Sequence, residues 1–317
     1  MSHTLTIDRG GCRLDHQGEA LIVRRAGTIE RSVPMHRLER VVLYASTELT
    51  SGLLALLAER GIGLVAYGGR FGERFAQILG VPHNDARIRA AQARLAADWG
   101  AARQLAAKFV LLKVRAQRRL LARALGERPD LRKPLLDAVA TVDRVLASLR
   151  EVPEDRDRLL GFEGAASAAY FAGYAALFPP SLGFRSRERR PPPDPINAAL
   201  SLGYTLLVHA AARAAQAVGL DPMIGFLHAF EHGRPALACD LAEAARPRVD
   251  RIVWTLFRER RLTADHFRRG HDGCLLGKAG RAIFYDALLP RLAAIERHLR
   301  AEARHIARRL ANPENPR

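Results

Sequence analysis

The chain has 317 residues, 48% of them hydrophobic, with 50 Lys and Arg against 33 Asp and Glu, for a formal net charge of +17. That apolar content excludes a disordered chain, and no apolar run approaches the ~20 residues that cross a bilayer. Cys12, Cys239 and Cys274 lie far apart, which excludes a disulfide scaffold and a cysteine zinc site and fits a reducing compartment.

The start, MSHTLTIDRG, has no basic region followed by an apolar run, so a cytoplasmic location is expected. Residues 1–82 read as a β-rich domain. Short alternating or β-branched runs are punctuated by Gly10–Gly11, Gly18 and Gly27, and IGLVAYGG follows as a buried strand. Between them TSGLLALLAERG reads as a short helix, capped by Thr50 or Ser51 and stopped at Gly61.

Residues 83–317 shift to a 3.6-residue period and read as an all-α domain, so the fold class is α+β. One alanine-rich basic run covers 87–125, a second covers LRKPLLDAVATVDRVLASLREV, and a third, LLGFEGAASAAYFAGYAALF, has Glu163 as its only charge. The segment FRSRERRPPPDP is a charged surface loop that either clamps phosphates or is merely solvated. Asp194–Pro195 opens a helix that Gly219 ends, and Asp221–Pro222 repeats the device for a helix running to Gly233 and Pro235. A further helix from Ala236 bends or restarts at Pro247, and the C-terminal run carries Leu292, Ile295, Leu299, Ile306 and Leu310 near one face.

The charge is concentrated in the helical part. Residues 1–80 hold 10 basic and 8 acidic side chains, and residues 81–317 hold 40 and 25. An excess of that size attracts polyanions, of which nucleic acid is the commonest. Four of the basic residues are lysine (Lys108, Lys113, Lys133 and Lys278) and 46 are arginine. A G+C-rich genome accounts for that ratio as well as phosphate binding does, so the nucleic-acid reading rests on the charge excess.

Against this basic background, GFLHAFEHGRPALACDLAEAARP gathers acceptors. On a helix after Pro222, His228 and His232 would share a face, and on the next helix Asp240 and Glu243 would share another. A short connection makes the two helices antiparallel neighbours, so the faces can meet. One imidazole with two carboxylates suits Mg²⁺ or Mn²⁺. Glu163, set among small and aromatic residues, needs a compensating group, either a cation or an arginine. Arg246 continues the Glu243 face, either as a phosphate ligand or as a simple ion pair with Glu243.

The segments SVPMHRLERVVLYASTELTSGLLALLAERGIGLVAYGG, GFEGAASAAYF, DPINAALSLGYTLL and GLDPMIGFLHAFEHGRPALACDLAEAARPRVD, in that order, resemble the CRISPR-associated integrase of spacer acquisition, the larger of the two universal adaptation proteins. The resemblance implies a small β-rich, sandwich-like N-terminal domain that dimerises and a larger α-helical catalytic domain. It implies a homodimer joined to the small second adaptation protein and acting on double-stranded DNA in antiviral defence, with no membrane. It places a divalent-metal site (Mg²⁺ or Mn²⁺) at Glu163, His228 and Glu243, with Asp240 as the other candidate for the third ligand, and Arg246 beside it toward DNA. His232 does not match the family histidine. The implied reaction is transesterification, a 3′-hydroxyl attacking a phosphodiester at the edge of a repeat array, or hydrolysis if water attacks instead. A non-catalytic basic DNA-binding or architectural protein is the alternative. A metal-dependent hydrolase of small phosphorylated substrates is disfavoured by so broad a field of charge.

Overall fold

The computed structural model describes residues 3–43, 45–68, 74–78, 85–189, 191–228, 233–270 and 273–311. The chain divides into two compact units, Met1–Asn84 and Asp85–Arg317.

The first unit contains two four-stranded sheets. Strands β1 (His3–Ile7), β5 (Leu38–Leu43), β7 (Gly63–Gly68) and β8 (Arg74–Ile78) pair in that order, the first three parallel and β8 antiparallel. Strands β4 (Thr28–Pro34), β3 (Ala20–Arg25), β2 (Cys12–Gln17) and β6 (Thr47–Glu48) form the other sheet, a meander closed by a short parallel pair. Every second residue of the strands points into one shared core: Leu5 and Ile7, Cys12 and Leu14, Leu21 and Val23, Val41 and Leu43. That period of two is what a sandwich demands of its inner faces. Helix α1 (Ser51–Glu59) crosses between the parallel strands β5 and β7, adds Leu53 and Leu57 to the core, and starts where the Thr50 hydroxyl accepts from Leu53 N at 3.2 Å.

The second unit is built on two long helices. The basic run expected over 87–125 is two helices, α2 (Ala86–Ala97) and α3 (Trp99–Glu127). Asp98 interrupts them because its carboxylate caps α3, accepting from Ala101 N at 3.3 Å. Helix α3 packs against α4 (Arg132–Ser148) and α5 (Arg156–Ala175). A Cβ on Gly173 of α5 would sit 2.7 Å from Ala138 Cβ and 3.1 Å from Leu121 Cδ2, so the glycine sets how closely the three helices approach.

Helix α6 (Pro195–Gln216) opens at the Asp194 cap with Pro195 in its first turn, and 16 of its 22 residues are buried. It is the axis against which α7 (Ala236–Glu243), α8 (Arg246–Arg258) and α9 (Lys278–Ala311) pack. Arg213 of α6 forks onto buried Glu296 of α9, with Nη2 2.8 Å from Oε2. Helix α8 restarts at Arg246 with Pro247 behind it, as the sequence suggested.

The all-α expectation for this unit needs two corrections. Strands β9 (Phe267–Gly270) and β10 (Gly273–Leu276) form an antiparallel pair. It exists because Cys274 N donates to Pro192 O at 2.7 Å, and Gly273, at φ 93°, leaves no room for a side chain against the prolines. Residues 221–228, expected in a helix, form turns and bends instead. Among the described residues, no helix is long and apolar enough to cross a membrane.

A Cβ on Gly203 would lie 2.5 Å from Val249 Cγ1 and 3.2 Å from the Phe284 ring, where α6 meets α8 and α9. Gly203→Ala is therefore expected to destabilise the helical unit by about 1–3 kcal/mol through overpacking, despite alanine's better helix propensity, as read by urea unfolding.

Candidate active site

The site is assembled by one loop and four helices. The 221–228 loop is not helical because its backbone groups are taken by side chains. Buried Gln92 of α2 accepts from Asp221 N at 2.8 Å and donates to Asp221 O at 2.9 Å and Ile224 O at 2.7 Å. Asp240 of α7, fully buried, accepts from Phe226 N at 2.7 Å, Leu227 N at 3.0 Å and His228 N at 3.2 Å. A carboxylate satisfying three consecutive amides replaces the i→i−4 bonds a helix would have used. Gly225 makes this possible, since a Cβ there would lie 3.0 Å from Asp240 Oδ2 and 2.7 Å from Ala236 Cβ.

The same Asp240 carboxylate accepts from His228 Nδ1 at 2.5 Å. Its Oδ1 and Oδ2 are thus both engaged, by the loop amides and by the imidazole. Because a carboxylate only accepts, Nδ1 carries the proton and Nε2 is the ring nitrogen left with a lone pair. The expected His228–His232 helical face does not form, and His232 lies outside the described residues.

Glu163 of α5 and Glu243 of α7 converge on one cation, the ammonium of Lys113 from the middle of α3. Lys113 Nζ is ion-paired with Glu163 Oε1 and lies 2.6 Å from Glu243 Oε2. Lys113 and Glu243 are buried, whereas the Glu163 side chain is 23% exposed, so it opens toward solvent rather than lying enclosed. Ser167 Oγ donates to Glu163 Oε1 at 3.1 Å. The compensating group for Glu163 is therefore a lysine, not one of the 46 arginines.

Arg246 forms the ion pair with Glu243 that the sequence allowed, with Nη2 2.9 Å from Oε1. Burial alone would raise the Glu243 carboxyl, but Arg246, Lys113 and His228 outweigh it and hold the pKa at about 2. His228 is thus within electrostatic reach of Glu243. Among the described residues, no three His, Cys, Asp or Glu side chains already stand in metal-holding geometry. The donor set nonetheless fits a hard divalent ion. Glu163 and Glu243 already share a cation, buried Glu243 Oε2 has no aligned hydrogen bond, and His228 keeps Nε2.

Beneath the site lies a polar hub that the sequence did not disclose. Asp250 of α8 accepts from Tyr170 Oη at 2.7 Å and Tyr204 Oη at 2.6 Å, and its backbone oxygen accepts from Tyr174 Oη at 2.7 Å. The Tyr204 ring carries two guanidiniums, Arg246 at 4.9 Å and Arg187 at 5.2 Å from its centroid. Arg187 belongs to the proline-rich loop, which is pinned. Its guanidinium donates to Asn197 Oδ1 at 2.9 Å and Ser201 Oγ at 3.0 Å, while Asn197 Nδ2 donates to Ser186 O at 2.9 Å. A cleft of about 440 Å³ runs over this surface, lined by Lys113, Glu163, Arg185, Arg187, Arg189 and Arg246 among others.

Burial pushes the Asp250 carboxyl up to about 6, although the hydroxyls of Tyr170 and Tyr204 and the nearby Arg246 and Arg187 pull it down. A carboxyl raised in the folded state costs stability once it ionises. The cost is absent below the ordinary aspartate range and complete above pH ~6. Asp250→Asn should remove that pH-dependent part. The stability difference between wild type and variant should shift by about 3 kcal/mol in the variant's favour from pH 4 to pH 7, measured by urea unfolding at each pH. No such shift would mean that Asp250 titrates normally.

With this geometry in view, comparison with known proteins is direct. The family model "CRISPR associated protein Cas1" matches residues 5–289. A CRISPR-associated endonuclease Cas1 from Thermodesulfovibrio yellowstonii is 34% identical over 310 residues, covering 97% of this chain and 96% of the relative. Among solved structures, a casposase bound to integration product superposes with a TM-score of 0.80 at 19% identity, over 100% of this chain and 92% of that one. A chain of a Cas6-RT-Cas1–Cas2 complex does so with a TM-score of 0.80 at 23% identity, over 98% of this chain and 35% of that one. A match along nearly the whole length, in sequence and in fold, establishes that the chain belongs to the Cas1 family of CRISPR-associated proteins.

Proposed function

We propose that the protein is a divalent-metal-dependent DNA integrase and endonuclease that joins the 3′-hydroxyl ends of short DNA fragments into a CRISPR repeat array. The observation that carries this reading is the convergence of Glu163 and Glu243 on a single cation beside His228, at the edge of an arginine-lined cleft. Relatives named as endonucleases and a casposase bound to its integration product support the reaction class.

Glu163, Glu243 and His228 would hold the ion, Mg²⁺ or Mn²⁺, which when bound supplies Lewis acidity at the phosphoryl group and lowers the pKa of the attacking hydroxyl. Asp240 is read as a positioning residue for His228 rather than as a ligand, because its oxygens already serve the loop amides and Nδ1. Lys113 balances the two glutamates until the ion arrives and then has to yield its place between them. In the reaction a bond forms between the attacking 3′-oxygen and phosphorus. The bond from phosphorus to the target strand's 3′-oxygen breaks, and the nucleophile's proton passes through solvent to that leaving oxygen.

Arg246, braced by Glu243 and Tyr204, would face the charge that develops on the phosphoryl oxygens. Buried Arg187 Nε and Arg246 Nε have no hydrogen-bond partner, and donors of this kind suit a phosphodiester in the cleft. A homodimer joined to the small second adaptation protein belongs to the same reading, supported by a neighbour titled as a Cas1–Cas2 complex. So does dimerisation through the β-rich unit, where edge strand β4 exposes Ile29. Cytoplasmic double-stranded DNA is the partner that the charge excess implies.

Two measurements test the reading. Glu163→Gln and His228→Ala should keep duplex affinity within about threefold while strand joining falls by at least ~100-fold, and a chelator should abolish joining by the wild type. Loss of DNA affinity in step with joining, or joining that survives chelation, would sink it. Duplex affinity should also fall steeply with salt, on a slope of log affinity against log salt corresponding to several phosphate contacts. A nearly flat slope would contradict backbone binding.

A further inference from the structure

A second cleft, also of about 440 Å³, opens on the other flank of His228 and has a different chemistry. Its walls include Trp99, Arg156, Glu154, Asp155, Gly225 and His228. Trp99 stands at the start of α3 and Arg156 at the start of α5. The Arg156 guanidinium lies over the indole at 4.7 Å from the ring centroid, and indole Nε1 donates to Glu154 O at 2.5 Å, which fixes the ring plane. The arginines of the first cleft suit phosphates. Here a half-buried indole and a stacked guanidinium offer flat surfaces, and two acidic residues offer acceptors for exocyclic amines.

We propose that this cleft binds the unstacked terminal nucleobase of a single-stranded DNA 3′ end, between Trp99 and Arg156 and next to His228. The inference rests on the DNA-joining reading and adds to it the group that grips the end being joined. A 3′-hydroxyl must be presented to the ligand set with its phosphates on the basic side, and the base of the same nucleotide then needs a separate apolar seat. Aromatic and guanidinium planes accept any base by stacking, so the seat selects an unpaired end over a sequence. The volume admits one nucleotide rather than a duplex.

The chain has two tryptophans, and the other, Trp254, is 1% exposed, so emission changes on DNA binding report Trp99. Titrating metal-free protein with an oligothymidylate bearing a free 3′ end should quench emission in the wild type and not in Trp99→Phe. Trp99→Ala should weaken binding of a duplex with a single-stranded 3′ extension roughly tenfold more than binding of the same duplex made blunt, with Trp99→Phe recovering most of the loss. An abasic 3′-terminal residue should impose a similar penalty on the wild type and little on Trp99→Ala. Unchanged emission at oligonucleotide concentrations that saturate binding by anisotropy would overturn the inference, as would equal losses on extended and blunt DNA. If blunt duplex binds and strands are joined without a Trp99 signal, only this inference falls. If neither DNA binds, the reading beneath it falls as well.

Discussion

Two carboxylates from different helices and one buried ammonium between them are the constraint around which the helical unit is organised. Lys113 is held in the middle of α3 among Leu111, Leu112 and Val114, and its charge is tolerable there only because Glu163 and Glu243 meet it. Removing either partner from a buried charged cluster costs far more than the cluster contributes, since the remaining charge is stranded. The cluster is therefore a device for location more than for stability. It fixes α3, α5 and α7 against one another at the point where negative charge is needed, and Arg246 then holds Glu243 ionised.

Around that point the protein separates tasks by environment. Asp240 and Glu243 lie three residues apart on one short helix and are both buried, yet they do different work. Asp240 is consumed by backbone amides and by His228, which makes it a structural acceptor that sets a tautomer. Glu243 faces cations only. Asp250, a turn further along the chain on α8, faces hydroxyls and has its charge opposed by burial. The three acids differ by neighbours, not by residue type, and this is why one region can hold a rigid anchor, a cation site and a packing hub together.

Much of the fold was legible because it depends on period and punctuation. The alternation of Leu5 with Ile7 and of Leu21 with Val23, the Thr50 and Asp194 caps, and the restart at Pro247 are local signals that tertiary context did not override. The helix expected after Pro222 failed because its amides are claimed by Gln92 and Asp240, which are 129 and 14 residues from the groups they bind, and no local pattern carries that information. The strand pair β9–β10 was missed for a similar reason, since it depends on Pro192 some 80 residues earlier. Glu163, His228, Glu243 and Arg246 were singled out by motif, and the structure gathers Glu163, Glu243 and Arg246 around Lys113 with His228 close by. Lys113 itself was one basic residue among many on α3. A rare lysine inside an apolar stretch of a chain so rich in arginine was the available signal. The tyrosines bound to Asp250 left no trace beyond aromatic residues at helical spacing.

The tyrosine hub has a mechanical consequence. Tyr170 and Tyr174 tie α5 to α8, and Tyr204 ties α6 to the same carboxylate, so the helix bearing Glu163 cannot slide past the helix bearing Arg246 without breaking bonds to a group sealed from water. Any widening of the cleft to admit a nucleic-acid strand must therefore hinge elsewhere, at the Pro191–Pro192 bridge to β10 or at the 221–228 loop. The protein yields at its rims and keeps its centre as a single moving part.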